Sequence, residues 1–256
     1  MLWLLAVPLA AHAQPKLLVN ARLDTRTAAT GLEREFRALL STQPEPAWIA
    51  YAVPYNRSFN LGCEYVSPEG STVPGVVHLE PPAEAIILFR VVGGAVDRVR
   101  VLSPDCEIDA GGVPFHWLTG VKPAGSVALL EAVSRQETIR AIALHADPSA
   151  DAALERMLAA GEPEAVRRNA AFWLGAARGQ RGLETLQRLL ATEPDRTVRE
   201  RAIAGLAVSH QPKALDLLIS IARREGDPRT RRAAMNAIGR SADPRAQAFL
   251  EEILKR

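Results

Sequence analysis

Apolar positions in the second half of the chain recur every 32 residues, four times and without a gap, across residues 134–256. Leu154, Leu186, Leu218 and Leu250 form one column. Met157, Leu189, Ile221 and Ile253 form a second, and Ile142, Leu174, Leu206 and Ile238 a third. A small-residue column runs through Ala143, Gly175, Ala207 and Gly239, and an arginine column through Arg135, Arg167, Arg199 and Arg231. A fixed period in this range is the signature of a solenoid, whose units cannot bury their apolar faces alone. Within the second copy, residues 166–177 and 182–191 are two amphipathic segments. Leu183, Leu186, Leu189 and Leu190 space as a helical stripe rather than a strand alternation. Asp147-Pro148, Asp227-Pro228 and Asp243-Pro244 read as a capping carboxylate followed by proline at the first helical position. Loops of about 3–6 residues then force antiparallel neighbours. The Ala/Gly column marks where helices are expected to approach closely.

The segments Asp195-Arg196-Thr197-Val198-Arg199 with Ala202-Ile203-Ala204-Gly205-Leu206, and Asp227-Pro228-Arg229-Thr230-Arg231 with Ala233-Ala234-Met235-Asn236-Ala237-Ile238-Gly239, resemble the D-x-x-V-R-x-x-A-A-x-A-L-G pattern of HEAT repeats. In length they are most similar to the short form known from phycobilisome-lyase-type repeats. The first copy departs most, with Ser134 in place of valine and Glu137-Thr138 in place of alanine, as suits a terminal repeat. Tetratricopeptide and ankyrin signatures are absent. The resemblance implies a right-handed α-solenoid of four HEAT-like hairpins. It also implies a ladder in which Arg135, Arg167, Arg199 and Arg231 each meet a helix-start carboxylate such as Asp195 or Asp227. The concave face would be formed by the second helices, exposing Glu155, Gln187, Ile219 and Glu251, a mixed surface.

The first half reads differently. Residues 2–10 are a short apolar run, and Ala11-His12-Ala13 is a cleavage-site pattern, so residues 1–13 are expected to be a signal peptide removed after Ala13. No basic residue precedes the run, which is too short to span a bilayer. In an exported chain, Cys63 and Cys106 are expected to pair as a disulfide; in a cytosolic chain they would be two thiols. Leu32, Phe36, Leu39 and Leu40 fall on one helical face, with Thr30 as candidate cap and Pro44 as stop. Residues 48–53, 76–79, 85–92, 96–101 and 115–118 read as strands, with Gly93-Gly94 as a hairpin turn. Residues 14–125 are therefore expected to form a small α+β module with an antiparallel sheet. Residues 126–256 form the repeat domain, whose first helix covers 126–134.

Charge refines this only a little. The chain is formally +2, but 10 Lys+Arg face 13 Asp+Glu through Val133, whereas 21 face 16 from Ser134 onward. A nucleic-acid site needs a denser basic stripe, so no nucleic-acid partner is expected. Asp105, Glu107 and Asp109 alternate before Gly111-Gly112. An EF-hand loop would need glycine and glutamate where Ala110 and His116 stand, so a solvated acidic loop is preferred to a cation site. His78, His116 and Asp109 could be sketched as a catalytic set, but no G-x-S-x-G or other nucleophile accompanies them. His145 and His210 are read as helix-end cap or surface residues. The expectation is an exported, non-catalytic scaffold that binds another protein, with no cofactor, metal or membrane span. The alternatives are an accessory lyase-like enzyme, or a ligand-binding β module positioned by the repeats.

Overall fold

The structure, a computed structural model, describes Pro15, residues 18–57, Leu61, Cys63, and residues 83–133, 135–209 and 211–255. The expected leader, the 76–79 strand with His78, and His210 lie outside the described residues, as does the side chain of Arg135. The chain divides into two compact units. One holds Met1–Pro54 with Leu61–Leu129, and the other Tyr55–Asn60 with Leu130–Arg256.

In the first unit, β1 (Leu18–Val19), β2 (Arg22–Thr27), α1 (Leu32–Thr42) and β3 (Ala47–Pro54) are followed by β4 (Glu84–Val92), β5 (Ala95–Leu102), β6 (Ile108–Asp109) and β7 (Pro114–Thr119). The helix α2 (Pro123–Val133) then carries the chain across the division. Five strands form one sheet in the order β2-β7-β3-β4-β5, and β1 pairs separately with β6. The sheet is mixed rather than antiparallel. The last strand, β7, inserts between β2 and β3 and runs parallel to both, whereas β3–β4 and β4–β5 are antiparallel. The crossover that parallel strands require is supplied in part by α1, between β2 and β3.

Both faces of the central strands are buried, so β3 and β4 read as continuous apolar runs instead of alternations. Ala50, Ile86, Leu88, Phe115 and Trp117 pack on Ile108 and Ala110. On the opposite face the rings of Phe36 and Phe89 meet edge to face at 4.9 Å. There, too, the Tyr51 hydroxyl hydrogen-bonds Ser126 at 2.8 Å. Gly93 and Gly94, both in the left-handed region at φ 59° and 74°, make the β4–β5 turn. Cys63 and Cys106 are joined as a disulfide. Thr30 does not cap α1: the helix starts after Gly31, and the Thr30 hydroxyl accepts a hydrogen bond from Arg34 instead.

The second unit is helical throughout: α3 (Arg135–Leu144), α4 (Ser149–Arg156), α5 (Glu164–Ala177), α6 (Gly179–Thr192), α7 (Arg196–Ala207), α8 (Pro212–Arg224), α9 (Pro228–Gly239) and α10 (Pro244–Leu254). The odd-numbered helices from α3 to α9 pack each on the next. So do α4, α6 and α8. Ile142, Leu174, Leu206 and Ile238 are buried, as are Leu154, Leu186 and Leu218. Leu250 is only half-buried and Ile253 is exposed in α10, unlike their equivalents in the preceding copies. Carboxylates cap the helix starts. Asp195 accepts from the Thr197 and Val198 amides, Asp227 from the Thr230 amide, and Asp243 from the Arg245 amide. Side-chain hydrogen bonds from Thr197, Thr230 and Arg245, and after them these amides, hold all three carboxyls below the usual range.

The small-residue column does not run as expected. Ala143 and Gly175 are buried, but Ala207 and Gly239 are exposed. Helix crossing between α5 and α7 uses Gly205 in place of Ala207. A Cβ on Gly175 would stand 2.6 Å from the Gly205 carbonyl carbon, and one on Gly205 would stand 2.4 Å from the Phe172 carbonyl oxygen. The residue that meets the neighbour is fixed by where the helices cross, which a column cannot show.

A segment from early in the chain completes this unit. The Asn56 amide donates to the Leu144 carbonyl at 3.0 Å. Its side chain donates to Ala143 at 2.8 Å and Ala177 at 3.0 Å, all at the ends of α3 and α5. The Arg178 guanidinium, nearly buried, ties Asp151 at 2.7 Å and the carbonyls of Ala143, His145 and Asp147. These donors satisfy carbonyls that a helix end leaves without partners. His145 is buried rather than on the surface. Its Nδ1–H donates to the Ala141 carbonyl at 2.7 Å, and burial pushes its pKa down to about 4.

Candidate interaction surface on the repeat helices

The polar groups that recur in the repeats divide into an inner network and two outer faces. Inside, the arginine column is bound to glutamates at the ends of the second helices. Arg167 meets Glu193 and Arg199 meets Glu225, pairs with the same spacing in successive copies. The second oxygen of each carboxylate accepts the amide of the capping aspartate two residues on, at 3.0 Å for both Asp195 and Asp227. The partner of each arginine is thus the glutamate before the helix start, and the aspartate serves the helix itself. Arg231 is exposed and donates to the Glu225 carbonyl at 3.2 Å. The glutamates are also 32 apart, so a glutamate column could have been read from the sequence for these two copies.

A scan against protein-family models matches the HEAT-repeat family over residues 129–207 and 193–256. The chain belongs to the HEAT-repeat family. No curated protein matches it. HEAT repeats act as scaffolds for protein interaction, so the outer faces of the stack are where recognition is to be sought.

The two outer faces of these HEAT repeats differ in charge. On the second helices, several arginines are met by carboxylates on the neighbouring second helix. Glu155 of α4 faces Arg181 at 3.6 Å and Arg188 at 3.8 Å of α6, and accepts from Thr185 at 2.8 Å. Arg245 of α10 reaches Asp216 of α8 at 2.8 Å, and Arg223 reaches Glu252 at 2.6 Å. On the first helices, Arg201 of α7 lies over the Phe172 ring of α5, 4.5 Å from its centroid, and Phe172 meets Trp173 edge to face at 5.3 Å. Arg168 is close enough to oppose the Arg201 charge, and burial together with that repulsion lowers the Arg201 pKa. Carboxylates do stand here: Glu164 pairs Arg168 at 3.3 Å and Glu200 pairs Arg229 at 2.8 Å. Among the described residues, neither Arg201 nor Arg232 pairs with one. Of the residues expected on the concave face, Gln187 and Glu251 are exposed, while Glu155 and Ile219 are half-buried.

In the first unit, His116 is 7% exposed and spent on both ring nitrogens, with Asp24 at 3.1 Å and Gln43 at 3.0 Å. Asp109, its sketched catalytic partner, instead accepts from the Gly111 amide at 2.8 Å and the Asn20 amide group at 3.0 Å. Among the described residues no group of three or more His, Cys, Asp or Glu could hold a metal ion. No helix among them is long and apolar enough to cross a membrane. A hollow of about 390 Å³ opens beside the disulfide, floored by Trp48, Leu88 and Leu102 and edged by Arg100 and Glu107.

Proposed function

We propose that the protein is an exported, non-catalytic scaffold whose HEAT-repeat stack presents a surface to another protein, without cofactor, nucleic acid or membrane span. In this reading the repeat domain (126–256) is a right-handed solenoid of four hairpins. Residues 14–125 form the α+β module, and residues 1–13 are a leader removed after Ala13. The observation that carries the reading is the contrast between inner and outer positions of the repeats. Arg167–Glu193 and Arg199–Glu225 repeat the same inner clamp, while the outer position 32 apart changes from Phe172 to Ala204 to Asn236. A constant frame with varying outer side chains is what selective recognition requires. The disulfide supports an oxidising compartment.

Expression of the full chain in a bacterium with a periplasm tests the location. The periplasmic fraction should hold a chain starting at Gln14 with both cysteines oxidised. A cytosolic chain retaining Met1 with free thiols would overturn export. Crosslinking in that fraction should yield a discrete protein adduct mapping to residues 126–256, and a uniformly uncrosslinked chain would count against the scaffold role. A second reading, small-ligand binding by the module, is favoured only by the hollow beside Cys106.

A further inference from the structure

Resting on the scaffold reading, we propose that its docking face is the arginine–aromatic side of the first helices, α5, α7 and α9, and that the occupant is an acidic polypeptide segment. The face is assembled by the backbone. Gly205 lets α7 approach the Phe172 carbonyl so closely that no side chain fits between them. That approach brings Arg201, one turn earlier on α7, over the Phe172 ring. The ring holds the guanidinium in place, but its partial burial and the nearby Arg168 charge leave a cation with no carboxylate partner among the described residues. A carboxylate from outside supplies that partner, because guanidinium and carboxylate match as a bidentate pair. Arg232 occupies the same repeat position on α9 as Arg168 on α5, so it offers a further cation in line with the first. Arginine beside a packed aromatic ring is also the composition of binding hot spots.

The alternatives fit less well. On the second-helix face Arg181, Arg223 and Arg245 are met by carboxylates of neighbouring helices, and among the described residues no arginine there is held over an aromatic ring without a carboxylate partner in the way Arg201 is. A phosphodiester backbone needs an unbroken run of cations, whereas Glu164 and Glu200 stand among the arginines here. A polypeptide can place acidic side chains at Arg201 and Arg232 and neutral ones opposite the glutamates.

Titration of the intact chain with fluorescein-labelled poly-L-glutamate, read by anisotropy, tests this. Saturable binding is expected that weakens with salt. Arg201→Glu should lower affinity by about tenfold or more. Arg201→Lys should lower it by less, and Arg181→Glu on the second-helix face should change it by less than about twofold. Arg232→Glu, at an exposed position, gives a second reading if Arg201→Glu disturbs the fold by circular dichroism. Equal losses for Arg181→Glu and the first-helix variants would overturn the proposal. So would absent saturation, or equally tight binding of single-stranded DNA with the same variant pattern. If poly-L-glutamate fails while crosslinked protein still maps to the second helices, the scaffold reading stands and the acidic docking face falls.

Discussion

Replacing Glu193 by alanine tests the inner clamp directly. The Glu193 side chain is 3% exposed and that of Arg167 11%, so the pair is largely out of water. One carboxylate oxygen takes the guanidinium and the other takes the Asp195 amide at 3.0 Å. Arg167 has one further acceptor, the Leu158 carbonyl at 3.3 Å. The Glu193→Ala variant therefore strands a buried cation and an amide at the start of α7. Removing one member of a buried pair costs about 3–5 kcal/mol, most of it the desolvation left uncompensated. Glu225→Ala, where the pair is 15% and 18% exposed, should cost less, about 2 kcal/mol. Urea unfolding followed by circular dichroism gives the magnitudes. Because a repeat array can lose cooperativity, amide exchange in the first turn of α7 should be read alongside. Arg167→Ala and the double variant complete the cycle, with a coupling of about 1–3 kcal/mol expected. A loss below about 1 kcal/mol for Glu193→Ala, or no coupling, would place the pair with ordinary surface ion pairs and refute the clamp.

Gly205→Ala sets a methyl against the α5 backbone and should destabilise by about 1–3 kcal/mol in thermal unfolding. Gly239→Ala, with nothing within 4 Å, should be neutral or slightly stabilising. Buried neutral His145 makes stability depend on pH. The unfolded chain binds a proton near pH 6.5 and the folded chain only near 4, so stability is full above 6.5 and falls as pH drops toward 4. The loss should approach about 3 kcal/mol and disappear in His145→Gln. Urea midpoints at several pH values measure it, and the capping aspartates, whose pKa values are lowered, act only in a lower window beginning near 3.8. Replacing Cys63 and Cys106 by serine opens a closure of 43 residues and should cost the first unit about 4 kcal/mol by chain entropy, with the melting of α5–α9 unchanged.

The sequence by itself determined the helical repeats, because helix pairs that share one apolar stripe must repeat its spacing. Ile142, Leu174, Leu206 and Ile238 are interior for that reason. It likewise marked β3, an apolar run bounded by Pro46 and Pro54, the β4–β5 hairpin by its β-branched runs and two-glycine turn, and β7 as a last short strand. It gave no sign of β2, an edge strand whose Arg22–Thr27 residues are almost all exposed and therefore carry no apolar pattern. The parallel placement of β7 between β2 and β3, the burial of His145, and the reach of Asn56 to the ends of α3 and α5 were decided only by the tertiary structure. So was the arginine–aromatic face, since Phe172 and Arg201 come from different copies and meet only where two glycines let α5 and α7 close together. Local periodicity fixes which side of each helix is apolar. Which polar groups then face one another depends on how closely the helices cross, and that is a property of the packed whole.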